Sequence, residues 1–217
     1  MTTDDHSVEF AGGALGRHRH ICALFNSADE EHRVLRSFVK DGFGRRERAF
    51  HIVGPEQREE HVKWLAESGI DVEEATASGQ LELRSWEEAY LRGGRFDQDD
   101  MLALIEGVLQ SGPTAGYPLT RLVAHMEWAC TANPGVDDLV EYETRLNYVL
   151  PKYDDPVICT YDLARFGSSV TMDIMRTHPV VIIGGLLQEN PFFVPPDEFL
   201  LEIRERRSAR ESAHIAS

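Results

Sequence analysis

The sequence predicts a three-layer α/β fold in which helices cover both faces of a mostly parallel central sheet. Apolar runs of strand length alternate with helical patterns from His20 to about Ile183, which is the order that such a sheet requires. Glycine and proline stand between these segments, as expected for turns. The chain has 217 residues, of which 42% are hydrophobic, so one domain with a sizeable core is the economical interpretation.

Local patterns predict each element in chain order. Apolar or alternating runs between turn residues predict strands at 20–25, 49–53, 81–85, 119–128, 157–161, 180–183 and 186–188. Helical apolar periodicity predicts helices at 27–40, 57–68, 96–109, 136–150, 170–176 and 196–210. Gly184-Gly185 indicates a hairpin between the last two strands, and Gly112-Pro113 is expected to end the third helix. In the second helix, Val62, Leu65 and Ala66 are expected to face inward.

Composition excludes several classes of function. The net charge of -15 repels phosphate backbones and anionic lipid, so we expect no direct binding of nucleic acid or membrane. Three widely spaced cysteines fit a reducing compartment better than a disulfide framework. Residues 1–13 lack the basic and apolar regions of a signal peptide, and the apolar run 180–187 is too short to span a bilayer. We therefore expect a cytoplasmic protein, with residues 1–15 as a flexible tail.

The loop after the first strand lacks the features of a phosphate-binding loop. In doubly wound folds this loop opens a helix whose free amides attract anions. Residues 25–31 contain no glycine or lysine, whereas Ser27 and Glu30 have the spacing of a capping box. Three acidic residues at the helix start repel an anion further. We expect no binding of ATP phosphates at this loop.

Three predicted strands each carry two polar or soft side chains at positions i and i+2, which share one face. These pairs are His20 with Cys22, His125 with Glu127, and Cys159 with Tyr161, the last followed by Asp162. If the strands are neighbours and the faces coincide, the side chains form a cluster that binds a small polar ligand or a metal, or performs thiol redox chemistry. A metal ion at His20, Cys22 and Cys159 is one alternative. Buried cysteine and histidine that only pack in the core are another.

Two segments near the C-terminal end are further candidates for binding. Residues 190–196 form a rigid, proline-rich aromatic segment that covers either a pocket or the core. The amphipathic helix at 196–210 is a candidate dimer element. His178-Pro179 is expected to end the preceding helix, with His178 capping carbonyl groups.

Taken together, several short segments resemble the MEDS domain, the methanogen/methylotroph DcmR sensory domain. They are residues 20–22, 25–27, 79–81, 90–96, 121–128, 141–146, 159–162, 178–179 and 190–196. The resemblance extends over residues 16–196, which leaves 197–217 as a C-terminal helix and tail. It implies a RecA/KaiC-like fold whose phosphate loop is degenerate, and a role in sensing small organic compounds such as hydrocarbon derivatives. Where an acidic residue is expected before Met126, this chain has His125.

By this resemblance and the strand pattern, ten residues become candidate ligand contacts: His20, Cys22, Phe25, His125, Glu127, Cys159, Tyr161, Asp162, His178 and Asn190. The leading hypothesis is a non-catalytic sensory module that binds a small organic molecule and signals to a protein partner, a transcription regulator or a kinase. No catalytic constellation is complete in the sequence. The alternatives are a Cys/His redox or metal-binding enzyme, and a ligand-independent adaptor of the anti-sigma type.

Overall fold

The computed structural model describes residues 7–215 and contains nine strands and seven α-helices over that range. The strands are β1 Glu9–Phe10, β2 Gly13–Ala14, β3 His20–Phe25, β4 Arg48–Val53, β5 Leu81–Ser85, β6 Thr120–His125, β7 Val157–Asp162, β8 Val180–Ile183 and β9 Leu186–Glu189. The helices are α1 Ala28–Gly44, α2 Arg58–Glu67, α3 Val72–Ala77, α4 Gln98–Thr114, α5 Leu139–Val149, α6 Ser168–Thr177 and α7 Pro196–Ile215.

A seven-stranded sheet forms the centre of the molecule, in the order β5-β4-β6-β7-β3-β8-β9. The strands β3 to β8 pair in parallel, and β9 returns antiparallel to β8 as the predicted hairpin. In the register between β3 and β7, Cys22 lies beside Cys159. This arrangement confirms the predicted three-layer α/β fold with a mostly parallel sheet.

Each face of the sheet has its own apolar core. Side chains of α4, α5 and α6 pack against one face, around Cys22, Leu122 and Cys159. Side chains of α1, α2 and α3 pack against the other face, around Ile21 and Val123. Successive strand residues therefore point to opposite cores, as the pleat requires. The helix α7 adds to the first side, where it packs against α5.

The N-terminal segment differs from its prediction. Residues 1–6 lie outside the described residues, but β1 and β2 form a short antiparallel hairpin. Its side chains Val8, Phe10 and Leu15 are buried, and the Phe10 ring lies 4.7 Å from that of Phe38. The expectation of a flexible tail over 1–15 is therefore wrong for residues 8–15, because these apolar side chains bury themselves against α1.

Several boundaries also differ. Strand β6 ends at His125 rather than at residue 128, because Met126 has a backbone φ of -95° and ψ of 3° and a short 3-10 helix, Glu127–Cys130, follows. Helix α4 continues past Pro113, which lies in its last turn and so costs few helical hydrogen bonds. The helix α3 was not predicted, although Asp71 accepts a hydrogen bond from the Glu74 amide as its cap.

The inward face of α2 also differs from its prediction. His61, Trp64 and Leu65 are buried, whereas Val62 is only partly buried and Ala66 is exposed. Only Leu65 was expected correctly, and the buried histidine was missed. Within residues 7–215, no helix combines the length and the apolar character needed to cross a membrane.

Candidate functional site

One face of the sheet carries a buried polar cluster around Glu143, which we call the Glu143 cluster. The neighbouring strands β3 and β7 supply His20 and Cys159 to it. The carboxylate comes from α5, where Tyr142 and Leu146 belong to the same apolar face. Glu143 is fully buried. A carboxylate in such surroundings is costly unless several partners compensate it.

The Glu143 carboxylate has partners on both oxygens. Tyr161 Oη donates to Glu143 Oε1 at 3.0 Å. The other oxygen, Oε2, lies 3.0 Å from His20 Nε2, 3.3 Å from His178 Nε2 and 3.7 Å from Cys159 Sγ. His178 reaches this point from the junction of α6 and β8, and the two imidazole rings are 3.9 Å apart. Three separate elements thus converge on one carboxylate oxygen that a fourth element, α5, supplies.

The remaining ring nitrogens of the two histidines face oxygen acceptors. His178 Nδ1 lies 2.7 Å from Thr177 Oγ1 and 2.9 Å from the carbonyl oxygen of Ile174. The Thr177 hydroxyl donates its own proton to the same carbonyl at 2.7 Å, so both oxygens act as acceptors toward Nδ1. His20 Nδ1 lies 3.2 Å from Asn147 Oδ1. The Asn147 amide nitrogen donates to carbonyl oxygens, at 2.8 Å to that of Thr177, so its Oδ1 also acts as an acceptor. Both Nδ1 atoms therefore carry the proton, and in a neutral ring each Nε2 presents a lone pair to Glu143.

Burial and mutual charge set the protonation of this cluster. Burial, followed by the charge of His178, lowers the pKa of His20 to about 4. Burial opposes ionisation of Glu143, but hydrogen bonds from the two imidazoles in their protonated form, and the charge of these rings, outweigh it and lower the pKa of this carboxyl to about 2. The pKa values of the Cys22 and Cys159 thiols are raised well above their ordinary value, first by burial and then by the Glu143 charge. Both thiols are therefore protonated near neutral pH.

His125 lies on the opposite face of the sheet and forms a second group, the His125 cluster. Its Nε2 atom is 3.1 Å from Glu31 Oε1, in the first turn of α1. The His61 ring lies 5.5 Å from that of His125, and His61 Nε2 is 2.9 Å from His51 Nδ1. The strands that carry the three predicted pairs are neighbours, but the faces do not coincide. The single cluster expected from the sequence is therefore divided into two.

Charge within the His125 cluster is paired. Burial alone would lower the pKa of His125, but the adjacent Glu31 carboxylate outweighs it and raises that pKa above its ordinary 6.5. Burial acts against ionisation of Glu31, yet His125 lowers the pKa of this carboxyl below 4.5. Burial also lowers the pKa of His51 to about 3 and that of His61 well below 6.5, so both rings stay neutral beside the pair.

The start of α1 is closed by its own side chains. Ser27 Oγ accepts the Glu30 amide at 3.2 Å, as predicted. The Glu30 carboxylate accepts from the backbone and side-chain nitrogens of Asn26, at 2.9 and 3.0 Å, rather than from the Ser27 amide. With Glu31 partly buried in the same turn, one hydroxyl and two carboxylate groups already lie at the positive end of the helix. That this loop does not bind phosphate stays a prediction, which these contacts favour.

The other candidate residues are dispersed. Phe25 is buried on the face opposite Cys22. Glu127 lies in the 3-10 helix, not on the strand, and its Oε1 accepts the Asp162 amide at 3.0 Å. The Asn190 amide nitrogen donates to the carbonyl oxygens of Met175 and His178 at 2.6 and 2.7 Å, which anchors the segment 190–196 at the start of β8. That segment therefore lies at the end of the sheet opposite to the carboxyl ends of the strands, and the two do not form one site.

A cleft of 690 Å³ opens beside the carboxyl ends of β6 and β7. Its walls are Ala129 and Cys130 after β6, Arg165 and Phe166 after β7, the starts of α5 and α6, and the C-terminal part of α7. In open α/β sheets, ligands bind outside the carboxyl ends of the strands. None of the ten candidate residues lines this cleft, which we call the α7 cleft.

A comparison with protein families identifies the class of domain. Residues 19–179 match the family described as "MEthanogen/methylotroph, DcmR Sensory domain", abbreviated MEDS. The match covers well over half of the 217 residues. The chain belongs to the MEDS family. This confirms the resemblance, and with it a sensory or regulatory role for this MEDS chain.

Two individual proteins are similar to the MEDS chain. The "Transcriptional repressor DcmR" of Methylorubrum extorquens is 25% identical over 173 residues. These residues are 79% of this chain and 62% of the repressor, so the chain spans less than two thirds of that relative. The crystal structure of a KaiC-like protein from Pyrococcus horikoshii superposes with a TM-score of 0.53 at 16% identity, covering 76% of this chain and 71% of that one. The second likeness confirms the RecA/KaiC-like fold of the MEDS chain.

Apart from His51 on β4, the cluster residues that sequence reasoning missed are on helices. Glu143 lies among the inward-facing Leu139, Tyr142 and Leu146 of α5, so a carboxylate at that position of an apolar stripe was a usable signal. His61 in α2 similarly lies beside Trp64. Glu31 gave no comparable signal, because acidic residues are ordinary in the first turn of a helix.

Proposed function

We propose that this MEDS chain is a non-catalytic sensory module that binds a small organic molecule in the α7 cleft and signals to a protein partner through α7. The partner class we propose is a transcription regulator or a kinase. The proposal is supported by the family and by one observation: α7 forms part of the wall of the cleft at the carboxyl ends of the strands. A ligand in the cleft therefore contacts an element that reaches the molecular surface.

Ion pairs at the mouth of the cleft are among the contacts that hold α7 in place. Arg207 contacts Asp138 Oδ1 at 2.7 Å and Glu141 Oε2 at 2.8 Å, which ties α7 to the start of α5. All three side chains are at least partly exposed, so these contacts are worth little individually. A ligand that competes with them, or bridges them, shifts α7 by its difference in affinity for the two positions.

The chemistry of the cleft fits a small molecule with an apolar body and one polar group. Val136, Val140 and Val170 supply apolar surface, with Phe166 beside them. The polar groups of Arg165 and Arg210, together with acidic residues, stand around this surface. Such a combination of apolar lining and a few polar groups is typical of small-molecule sites.

Cys130 provides an internal reporter of ligand binding. It lines the α7 cleft and is exposed, whereas Cys22 and Cys159 are buried. The experiment measures the rate at which a thiol reagent modifies Cys130, with and without a panel of short alcohols, aldehydes, amines and haloalkanes. A true ligand is expected to slow modification about tenfold at saturation and to raise the melting temperature.

A matched pair of variants separates binding in the cleft from effects elsewhere. Val170→Trp fills the cleft and is expected to abolish the protection of Cys130. Leu201→Trp, on the exposed side of α7, is expected to leave it intact, since Leu201 is 57% exposed and does not line the cleft. Ligand-induced stabilisation that persists in Val170→Trp, with Cys130 unprotected in the wild type, would contradict the assignment of this cleft.

The geometry supports the enzymatic alternative less well. A thiolate nucleophile needs a lowered pKa. Burial is the first cause that raises the pKa of each of the three thiols, including that of the exposed Cys130. A ligand-independent adaptor remains the second candidate. Capture of the partner by ligand-free protein, at an affinity that no member of the panel changes, would favour it. The cytoplasmic location, a homodimer through α7, and ligand contacts by the ten candidate residues stay predictions.

A further inference from the structure

In the Glu143 cluster, two imidazole nitrogens and one carboxylate oxygen face one another with no proton donor among them. His20 and His178 each donate their Nδ1 proton to an oxygen, so in neutral rings both Nε2 lone pairs point at Glu143 Oε2, 3.0 and 3.3 Å away. His178 Nε2 has no hydrogen bond of good geometry, although the side chain is fully buried. Lone pairs and a carboxylate oxygen facing one another repel, unless a positive charge lies between them. The arrangement thus calls for a cation at its centre.

Four of the six distances between the ligand atoms lie within a few tenths of an ångström of the edges of a tetrahedron around a metal ion. Zinc–nitrogen and zinc–oxygen bonds of about 2.0–2.1 Å and a zinc–sulfur bond of about 2.3 Å place tetrahedral ligand atoms about 3.3–3.7 Å apart. Here Glu143 Oε2 lies 3.0 and 3.3 Å from the two Nε2 atoms, and Cys159 Sγ lies 3.7 Å from Glu143 Oε2 and 3.9 Å from His20 Nε2. All four ligand atoms lie within 4.8 Å of one another.

Neighbouring residues orient each ligand. The acceptors of the Nδ1 protons, Asn147 Oδ1 and the Ile174 carbonyl, are the kind of partner that metal-binding histidines usually have. Tyr161 Oη donates to Glu143 Oε1, which directs Oε2 to the centre. Charge also balances: on binding, the Cys159 thiol releases its proton to solvent, and the thiolate and the Glu143 carboxylate together neutralise a divalent ion. A neutral site is the one that a dry core tolerates best.

We propose that His20, Glu143, Cys159 and His178 bind one divalent metal ion of the zinc class in a closed tetrahedral site. Two nitrogens, one sulfur and one oxygen are borderline-soft ligands that suit zinc. Four protein ligands leave no open position, so the ion stabilises the fold and does not perform catalysis. It joins α5 and the α6–β8 junction to the sheet. Cys22, which the sequence suggested as a ligand, is replaced by Glu143 and His178.

The test uses the full chain, expressed in zinc-containing medium and measured by elemental analysis. We expect about one equivalent of zinc per chain, and substitution by Co²⁺ after chelation is expected to give visible d–d bands and a near-ultraviolet thiolate-to-cobalt band. Folded wild-type protein with less than about a tenth of an equivalent of metal, and with no cobalt spectrum, would overturn the proposal.

Two cysteine variants identify the sulfur ligand. Cys22→Ser is the matched control, because Cys22 is equally buried and lies beside Cys159 in the sheet register but outside the four ligands. We expect Cys159→Ser to lose the thiolate-to-cobalt band while Cys22→Ser keeps it. The opposite result refutes the proposed ligand set. If Cys159→Ser fails to fold, the Cys22→Ser and Cys130→Ser variants assign the band by elimination: its loss in either one refutes the site.

Discussion

His20, on β3, and His178, just before the parallel neighbouring strand β8, both direct their Nε2 atoms at the same oxygen of Glu143. The centres of the two imidazole rings are 3.9 Å apart. The two residues are 158 positions apart in the sequence and meet only because β8 adds to the edge of the sheet next to β3. The parallel topology thus creates the polar centre of an otherwise apolar core. Glu143 links this centre to α5.

The first prediction concerns the contribution of Glu143 to stability. Glu143→Ala leaves the Tyr161 hydroxyl without its buried acceptor and removes the carboxylate that the two imidazoles face, and is expected to lower the free energy of unfolding by about 3–5 kcal/mol. The measurement is urea denaturation. Glu141→Ala is the control on the same helix; its carboxylate is partly exposed and pairs with Arg207, so a loss under about 1 kcal/mol is expected. Equal losses in the two variants would contradict the prediction.

The second prediction uses two glycines of α1. A Cβ at Gly42 would lie 2.6 Å from Arg121 Cδ, whereas a Cβ at Gly44 has no neighbour within 4 Å. Arg121 cannot move aside, because Glu47, Asp41 and the Phe38 carbonyl hold its buried guanidinium.

Thermal and urea unfolding of two variants test this constraint. Gly42→Ala is expected to lose about 1–3 kcal/mol through overpacking. Gly44→Ala is expected to change stability by less than about 1 kcal/mol, in the stabilising direction. If Gly42→Ala leaves the free energy of unfolding unchanged, α1 and Arg121 can move apart without loss of stability, and the prediction is wrong.

The sequence predicted the sheet well, because its strands are apolar runs with clear ends. It also placed His20 with Cys22, and Cys159 with Tyr161, on one face of their own strand, since alternation along a strand fixes the face of each residue. The sequence-based prediction was wrong for His125, because alternation within one strand does not tell which residues of the neighbouring strand lie on the same face of the sheet. That choice depends on the register between β6 and β7, where His125 lies beside Thr160 rather than beside Cys159.

The helical contributions were harder to predict. Glu143 and Glu31 reach their clusters through the packing of helices on the sheet, and this packing depends on crossing positions that no local pattern specifies. The α7 cleft is harder still, since its walls come from loops after two strands and from a helix near the end of the chain. None of these wall segments has a sequence pattern that by itself indicates a binding site. Only the assembled fold brings them together.

The third prediction is a pH dependence of the pair between Glu31 and His125. The raised pKa of His125 means that its ion pair is fully formed below pH 6.5 and is lost as the pH rises through the raised value. The lowered pKa of Glu31 means that the contribution of this carboxylate is lost only as the pH falls below 4.5. The pair between Glu31 and His125 therefore stabilises the fold most between pH 4.5 and pH 6.5.

A double-mutant cycle with Glu31→Gln and His125→Asn measures this coupling. We expect a coupling free energy of about 1–3 kcal/mol near pH 5.5, and a clearly smaller coupling free energy by about pH 9. The neighbouring His51 and His61 have lowered pKa values and are expected to stay neutral across this window, so they do not mask the change. A coupling that increases with pH would mean that His125 is neutral in the folded protein.

The fourth prediction tests whether the N-terminal hairpin belongs to the folded core. Phe10 is 4% exposed and its ring lies 4.7 Å from that of Phe38, whereas the neighbouring Glu9 is exposed. Phe10→Ala removes an aromatic ring from a packed contact with α1, and is expected to lower the free energy of unfolding by about 3–5 kcal/mol. Glu9→Ala is expected to change it by less than about 0.5 kcal/mol. If residues 8–15 were a flexible tail, the two variants would be equally stable, and hydrogen exchange at the Leu15 amide, which donates to the Val8 carbonyl at 2.9 Å, would be fast in both.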